Sequence, residues 1–154
     1  MKISDFGVSI QCDTSIDARK TFTGTIFYMS VSLIEPERLK GMNYKMDSDI
    51  WSLGIIILEC ACGFFPIPPP STDSPQKKCP TFWELTTYYE TMNIESLIVK
   101  DFSLEFNMFV HKCLQIDPEK RYKTSQLLEE PFIKYIDELK GQEVIKSWVN
   151  SFNS

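Results

Sequence analysis

The sequence predicts a mainly α-helical domain around one buried helix, with a short β-strand near its N-terminus. An almost uninterrupted apolar run covers residues 47–63 and is long enough for a central helix. Further helices are predicted over residues 82–92, 104–114 and 124–128, where apolar residues recur between polar ones, and Pro131 marks the start of a further turn. Only residues 2–6 suggest a strand, and that strand leads into a tight turn.

The central helix is predicted over Asp47–Gly63. Between Ile50 and Cys60 only Ser52 and Glu59 interrupt the apolar side chains. A helix that is apolar all round belongs in a protein interior. Aspartate and serine at its start are typical N-terminal caps, and Gly63 is typical of a left-handed C-terminal cap. The run is shorter than the roughly 20 apolar residues that cross a membrane, so we expect it in the core.

The composition fits one soluble domain. The chain has 154 residues and a net charge of -5, from 16 Lys plus Arg against 21 Asp plus Glu. This balance argues against a nucleic-acid partner or a membrane-surface partner. The five cysteines show no CxxC spacing, and no long apolar N-terminal segment suggests secretion. We therefore expect reduced thiols in a cytoplasmic or nuclear protein.

Short motifs follow one another in a defined order along the chain. They are KISDFGVS at 2–9, FTGTIFYMS at 22–30, PERLKG at 36–41, DSDIWSLGIIILECACGFFPIPPP at 47–70, FSLEF at 102–106 and KCLQIDPEKR at 112–121. Together they resemble the second half of a eukaryotic protein kinase domain, and more narrowly the MAP kinase kinase family. The IPPP segment favours that family over other serine/threonine kinases.

The resemblance implies a fold and a domain division. The chain would be the C-terminal half of a protein-kinase-like (α+β) domain, whose helical large lobe surrounds the central helix. Residues 1–139 would form this partial kinase domain. Residues 140–154 would form an amphipathic extension, which either docks the upstream kinase or packs on its own domain.

The Asp5-Phe6-Gly7 turn carries the metal-binding role that the resemblance implies. Asp5 matches the aspartate that holds Mg2+ against the ATP phosphates, and oxygen ligands suit this hard cation. Phe6 would pack beneath the lobe interface, and Gly7 would act as a hinge. ATP and Mg2+ are thus the expected cofactors of the full-length family, although this chain alone is expected to bind neither well.

The resemblance places the activation segment between Ser9 and Thr23. Its expected phosphorylation sites are Thr21 and one of the adjacent pair Thr14 and Ser15. The choice within this pair stays open because the spacing between the two sites departs from that of some relatives. Phosphorylation would add about -1.5 to -2 charges at each site and order the segment through arginine pairs. The expected partners are an upstream MAP kinase kinase kinase and a MAP kinase substrate.

Further residues match positions with known roles in the family. Glu37 and Arg121 match an ion pair that holds the end of the activation segment against the helical lobe. Asp49 matches an aspartate that binds backbone amides of the catalytic loop. The residues matching the pocket for the substrate side chain next to the phosphoacceptor are Thr25, Tyr28, Met29 and Ser30.

The chain departs from the family pattern directly after this pocket. The family reads YMSPER, whereas here the five residues Val31–Glu35 separate Ser30 from Pro36. Five extended residues span about 17 Å, which is enough to reshape the pocket. The stretch is either a genuine insertion or a retained intron. The second interpretation arises because every valine codon begins with GT and one glutamate codon ends with AG, as the two ends of an intron do.

Several parts needed for phosphoryl transfer do not occur in these 154 residues: the glycine-rich loop, the VAIK-type lysine and the HRD catalytic loop. The catalytic-loop aspartate and the ATP-binding lysine would therefore lie outside this chain. We expect a fragment of a dual-specificity kinase that is inactive alone, from a gene model or product truncated at Met1. The alternative is a non-catalytic fragment that binds a MAP kinase or the upstream kinase.

Overall fold

The computed structural model describes residue 4 and residues 26–31, 47–67, 81–136 and 138–152. These residues form helices and connecting turns, with no strand among them, so the predicted mainly α-helical architecture is confirmed. The predicted strand at residues 2–6 lies outside the described residues, apart from Ser4. The six α-helices of the described residues are α1 Asp47–Cys62, α2 Phe82–Thr91, α3 Leu104–Cys113, α4 Thr124–Leu127, α5 Pro131–Lys134 and α6 Glu138–Ser151.

Local sequence signals set the helix ends. Gly63 has a φ of 73° and donates its amide to the carbonyl of Glu59 at 2.8 Å, which closes α1 with a left-handed residue. The hydroxyl of Ser103 accepts the amide of Phe106 at 3.2 Å and caps α3. Helix α6 begins at Glu138, three residues before Gly141, so this glycine lies inside the helix rather than ahead of it.

Helices α1 and α3 pack closely at Gly54. A Cβ at this position would lie 2.7 Å from Cys113 Cβ and 2.8 Å from Leu114 Cδ2. The absence of a side chain therefore lets the two helices approach. Around this contact lies the main core, which includes the fully buried Trp51 and Ile55.

The central position of α1 is confirmed, but burial on every side is not. Leu53 and Ile56 are 40% and 46% exposed. They lie three residues apart on one face of the helix. Helix α3 covers the side that bears Gly54, whereas the face of Leu53 and Ile56 stays open among the described residues. The apolar run correctly indicated a core helix, but it overstated how much of the surface of that helix other elements bury.

Asn107 joins α3 to the turn that precedes it. Its Oδ1 accepts the amide of Val99 at 2.9 Å. Its Nδ2 lies 2.9 to 3.3 Å from the carbonyl oxygens of Val99, Phe102 and Ser103. Asn107 is 8% exposed, so its buried amide group finds its hydrogen-bond partners in the backbone of this turn.

We expect Asn107→Ala to lower the free energy of unfolding by about 1.5 kcal/mol, because it removes the hydrogen bonds between a buried side chain and the turn, including the acceptor of the half-buried Val99 amide. Chemical denaturation followed by circular dichroism measures this change. Asn150→Ala, on the exposed surface of α6, is the matched control and should change stability by less than about 0.5 kcal/mol. Equal effects of the two substitutions would show that the Asn107 network contributes nothing.

No helix among the described residues has the length and apolar content needed to cross a membrane.

Candidate functional site

Three of the four predicted pocket residues, Tyr28, Met29 and Ser30, lie beside α1. A 3-10 turn, Ile26–Tyr28, brings them against the helix. The Tyr28 hydroxyl donates to Glu59 Oε2 at 2.8 Å, and the Ser52 hydroxyl donates to the Tyr28 carbonyl at 2.7 Å. Tyr28 is therefore fixed to α1 through both its side chain and its backbone.

The residues after Tyr28 turn into the core. Met29 is 7% exposed and Ser30 is fully buried, with its hydroxyl 3.4 Å from the Ser48 hydroxyl. Val31, the first residue of the five-residue departure, is also fully buried. We call residues 28–31 the pocket segment. The buried side chains of Met29 and Ser30 attach this segment to the core.

Aromatic contacts support the start of the segment. The ring of Phe65 meets the rings of Phe27 and Tyr28 edge to face, with centroid distances of 5.7 and 5.8 Å. Such pairs contribute about 0.5–1.5 kcal/mol beyond their buried area. The loop that follows α1 thus holds the pocket segment from its other side.

We expect Tyr28→Phe to lower the free energy of unfolding by about 1 kcal/mol, since the half-buried Glu59 carboxylate loses a hydrogen bond but can still meet water. The change is measured by thermal or urea unfolding. Tyr135→Phe is the matched control because Tyr135 is 78% exposed, and it should leave stability unchanged. A loss of the same size at both positions would contradict a specific role for the Tyr28 hydroxyl.

Arg121 is buried, at 3% exposure. Its Nε and Nη2 donate to the carbonyl of Gln115 at 3.0 and 2.8 Å. Its guanidinium lies over the Trp51 ring, 5.2 Å from the centroid. The predicted partner Glu37 lies outside the described residues, so the ion pair stays a prediction. Arg121 nevertheless occupies a buried position beside α1.

Asp49 lies on the first turn of α1 and is exposed. This position leaves its carboxylate open to a partner, as its predicted role requires. The predicted site residues that lie outside the described part of the chain are Asp5, Phe6, Gly7, Thr14, Ser15, Thr21, Thr25 and Glu37. Their roles stay predictions.

Sequence reasoning missed the role of Glu59. This residue is the only acid between Ile50 and Cys62, which was the available signal, because an isolated carboxylate in an apolar run needs a polar partner. The partner, Tyr28, lies 31 residues earlier in the chain. No local pattern reveals a contact over that separation.

Groups for catalysis or metal binding do not converge in the described residues. They contain no group of three or more His, Cys, Asp or Glu side chains placed to hold a metal ion. Burial raises the pKa of the Cys113 thiol to about 12, so this cysteine stays protonated and is a poor nucleophile.

A cleft of about 360 Å³ lies elsewhere, between the C-terminal end of α1 and residues 97–102. Its lining is mostly apolar, and its two charged residues, Lys100 and Asp101, are exposed. It offers no constellation of buried polar groups, so the pocket segment remains the candidate site.

Comparison with known proteins shows the family of the chain. The protein kinase domain family matches residues 1–133. Mitogen-activated protein kinase kinase 2 of Arabidopsis thaliana is 39% identical over 137 residues, which cover 89% of this chain and 36% of that protein. Mitogen-activated protein kinase kinase 1c of Physcomitrium patens is 39% identical over 138 residues, covering 90% of this chain and 38% of that protein.

An animal protein shows the same similarity. The dual specificity mitogen-activated protein kinase kinase dSOR1 of Drosophila melanogaster is 37% identical over 150 residues, which cover 87% of this chain and 36% of that protein. The chain thus spans little more than a third of the length of these relatives. The family prediction is confirmed: the chain belongs to the protein kinase domain family and resembles its mitogen-activated protein kinase kinases.

Proposed function

We propose that this chain is the C-terminal part of the catalytic domain of a MAP kinase kinase. The protein to which it belongs transfers the γ-phosphate of ATP to Ser/Thr and Tyr hydroxyls on the activation loop of a MAP kinase. The observation that carries this proposal is the attachment of Tyr28 to α1 at Ser52 and Glu59, in a chain that matches the kinase family over residues 1–133.

The role of the pocket segment follows from this attachment. A substrate residue must be held in a fixed position for phosphoryl transfer, because catalysis here depends on positioning and charge stabilisation. The segment is held to α1 through the Tyr28 carbonyl at Ser52 and through the side-chain hydroxyls of Tyr28 and Ser30 at Glu59 and Ser48, and these contacts resist its displacement as the substrate binds. The segment would therefore present a rigid edge to the residue next to the phosphoacceptor.

The cofactors of the proposed reaction are ATP and Mg2+. Asp5 would hold the metal through its carboxylate, since hard cations prefer oxygen ligands. When bound, Mg2+ neutralises charge on the phosphates. Among the described residues no second set of acidic side chains competes with Asp5 for this role.

Regulation in this proposal lies in the segment before the pocket. An upstream MAP kinase kinase kinase would phosphorylate Thr21 and either Thr14 or Ser15. The added charge would order the activation segment. The partial kinase domain would cover residues 1–139, with residues 140–154 as a C-terminal extension.

The test is phosphoryl transfer by the purified 154-residue chain, with labelled ATP, Mg2+ and a MAP kinase. We expect no incorporation, because the HRD loop and the ATP-binding lysine are not among these residues.

Sequencing of the gene and spliced transcript upstream of codon 1 provides the second measurement. We expect an open frame that encodes HRD and VAIK motifs in phase with Met1. Incorporation by the chain alone, or an upstream region without these motifs, would contradict the proposal.

A non-catalytic binding fragment is the second candidate, and α6 favours it. Five large apolar side chains of this C-terminal region are 46–71% exposed, namely Val144, Ile145, Trp148, Val149 and Phe152. An exposed apolar face of this kind is typical of a binding surface. Capture of a MAP kinase or the upstream kinase by the wild-type chain, and its loss with Trp148→Ala plus Phe152→Ala, would support this candidate.

A further inference from the structure

This chain departs from the family pattern in the stretch Val31–Glu35, and Val31 is the residue of that stretch that the structure describes. Its side chain has 0% exposure and belongs to the same core cluster as Trp51 and Ile55. An insertion usually begins on the surface, where added residues disturb little. Here the first added residue lies in the interior.

The hydrogen bonds described between the pocket segment and α1 are made by residues 28 and 30. Ser48, Ser52 and Glu59 are spaced by four and seven residues, so they lie on one face of α1. They contact residues 28 and 30. Val31 follows directly and adds an apolar contact with the core. The segment is thus fixed by hydrogen bonds at its start and by a buried side chain at its end.

The residue type at position 31 matters for this arrangement. In the YMSPER pattern a proline follows the serine, and proline itself restrains the backbone by fixing φ near about −65°. Valine imposes no such limit. In this chain Val31 has a helical backbone and a fully buried side chain, so core packing of the side chain adds to the restraint on the backbone at this position.

We propose that Val31 is a positioning residue that fixes the C-terminal end of the pocket segment on α1 and thereby sets which substrate residue the pocket accepts. The second half of this statement rests on the proposed function. The proposal requires that Val31 is present in the mature protein, so that Val31–Glu35 is an insertion and not a retained intron.

Hydrogen exchange of the purified 154-residue chain tests the anchor. We expect Val31→Ala to raise the exchange rates of the amides of residues 29–31 about tenfold, and Val31→Ile to keep them near the wild-type rates. Leu127→Ala is the matched control, because Leu127 is 4% exposed and belongs to a separate core cluster. Exchange in Val31→Ala that equals wild type or Leu127→Ala would overturn the anchor.

Peptide binding tests the specificity. Two MAP kinase activation-loop peptides that differ only in the residue after the phosphoacceptor, alanine or leucine, are titrated against each variant. For wild type we expect the Kd values of the two peptides to differ about tenfold. We expect nearly equal Kd values for the two peptides with Val31→Ala, and the wild-type ratio with Leu127→Ala. An unchanged ratio in Val31→Ala would overturn the specificity role. Binding of neither peptide by wild type would instead overturn the substrate pocket itself, while hydrogen exchange still decides whether Val31 is an anchor.

Sequencing of spliced transcripts across this stretch tests the presence of the five residues. We expect reads that retain all five codons. Mature transcripts that join Ser30 directly to Pro36 would overturn the inference, because the protein would then lack Val31.

Discussion

Trp51→Ala is expected to lower the free energy of unfolding by about 3–5 kcal/mol, a large part of the roughly 5–15 kcal/mol that stabilises a typical domain. The Trp51 ring has 0% exposure, and the ring of Tyr89 meets it edge to face at 5.5 Å. Its other contact is the buried guanidinium of Arg121, 5.2 Å from its centroid. Alanine would leave a cavity and remove the aromatic partner of a buried cation. Urea unfolding followed by circular dichroism measures the loss.

Two further variants separate the causes of this loss. Trp148→Ala changes the same residue type where it is 63% exposed, so it should alter stability by less than about 0.5 kcal/mol. Trp51→Phe keeps an aromatic ring at the buried position and should fall between wild type and Trp51→Ala. A loss below about 1 kcal/mol for Trp51→Ala would show that α1 is not the centre of the core.

The helices were predictable because their signals are local. The apolar run of residues 47–63, the Ser103 cap and the helical spacing after Leu104 lie within the elements that they define. Hydrogen bonds and caps inside a helix depend on neighbours in sequence. The structure accordingly places α1, α2 and α3 within two residues of the predicted ends.

The side that each helix buries was less predictable. The sequence showed that Leu53 and Ile56 are apolar, but their 40% and 46% exposure depends on which element packs against α1. The same limit applies to the candidate site. The Tyr28–Glu59 hydrogen bond joins residues 31 positions apart, and family resemblance identified only one of its two partners. The burial of Val31 likewise depends on tertiary packing, and the departure from YMSPER indicated only that the position is unusual.

Gly54→Ala is expected to destabilise the protein by about 2 kcal/mol, although alanine is the better helix former. The new Cβ would lie 2.7 Å from Cys113 Cβ. A Cβ is fixed to its own backbone, so only a shift of α3 against α1 relieves this contact. Overpacking of this kind costs up to about 3 kcal/mol. The gain in helix propensity offsets about 1 kcal/mol of that cost.

The same substitution at Gly141 should have the opposite sign. Gly141 lies inside α6, and a Cβ there would have no atom within 4 Å. Gly141→Ala should therefore stabilise the helix by up to about 1 kcal/mol through propensity alone. Thermal unfolding of both variants beside wild type measures the two shifts. If Gly54→Ala also stabilised the protein, the close approach of α1 and α3 would be wrong, and with it the packing that places Trp51 and the pocket segment along one central helix.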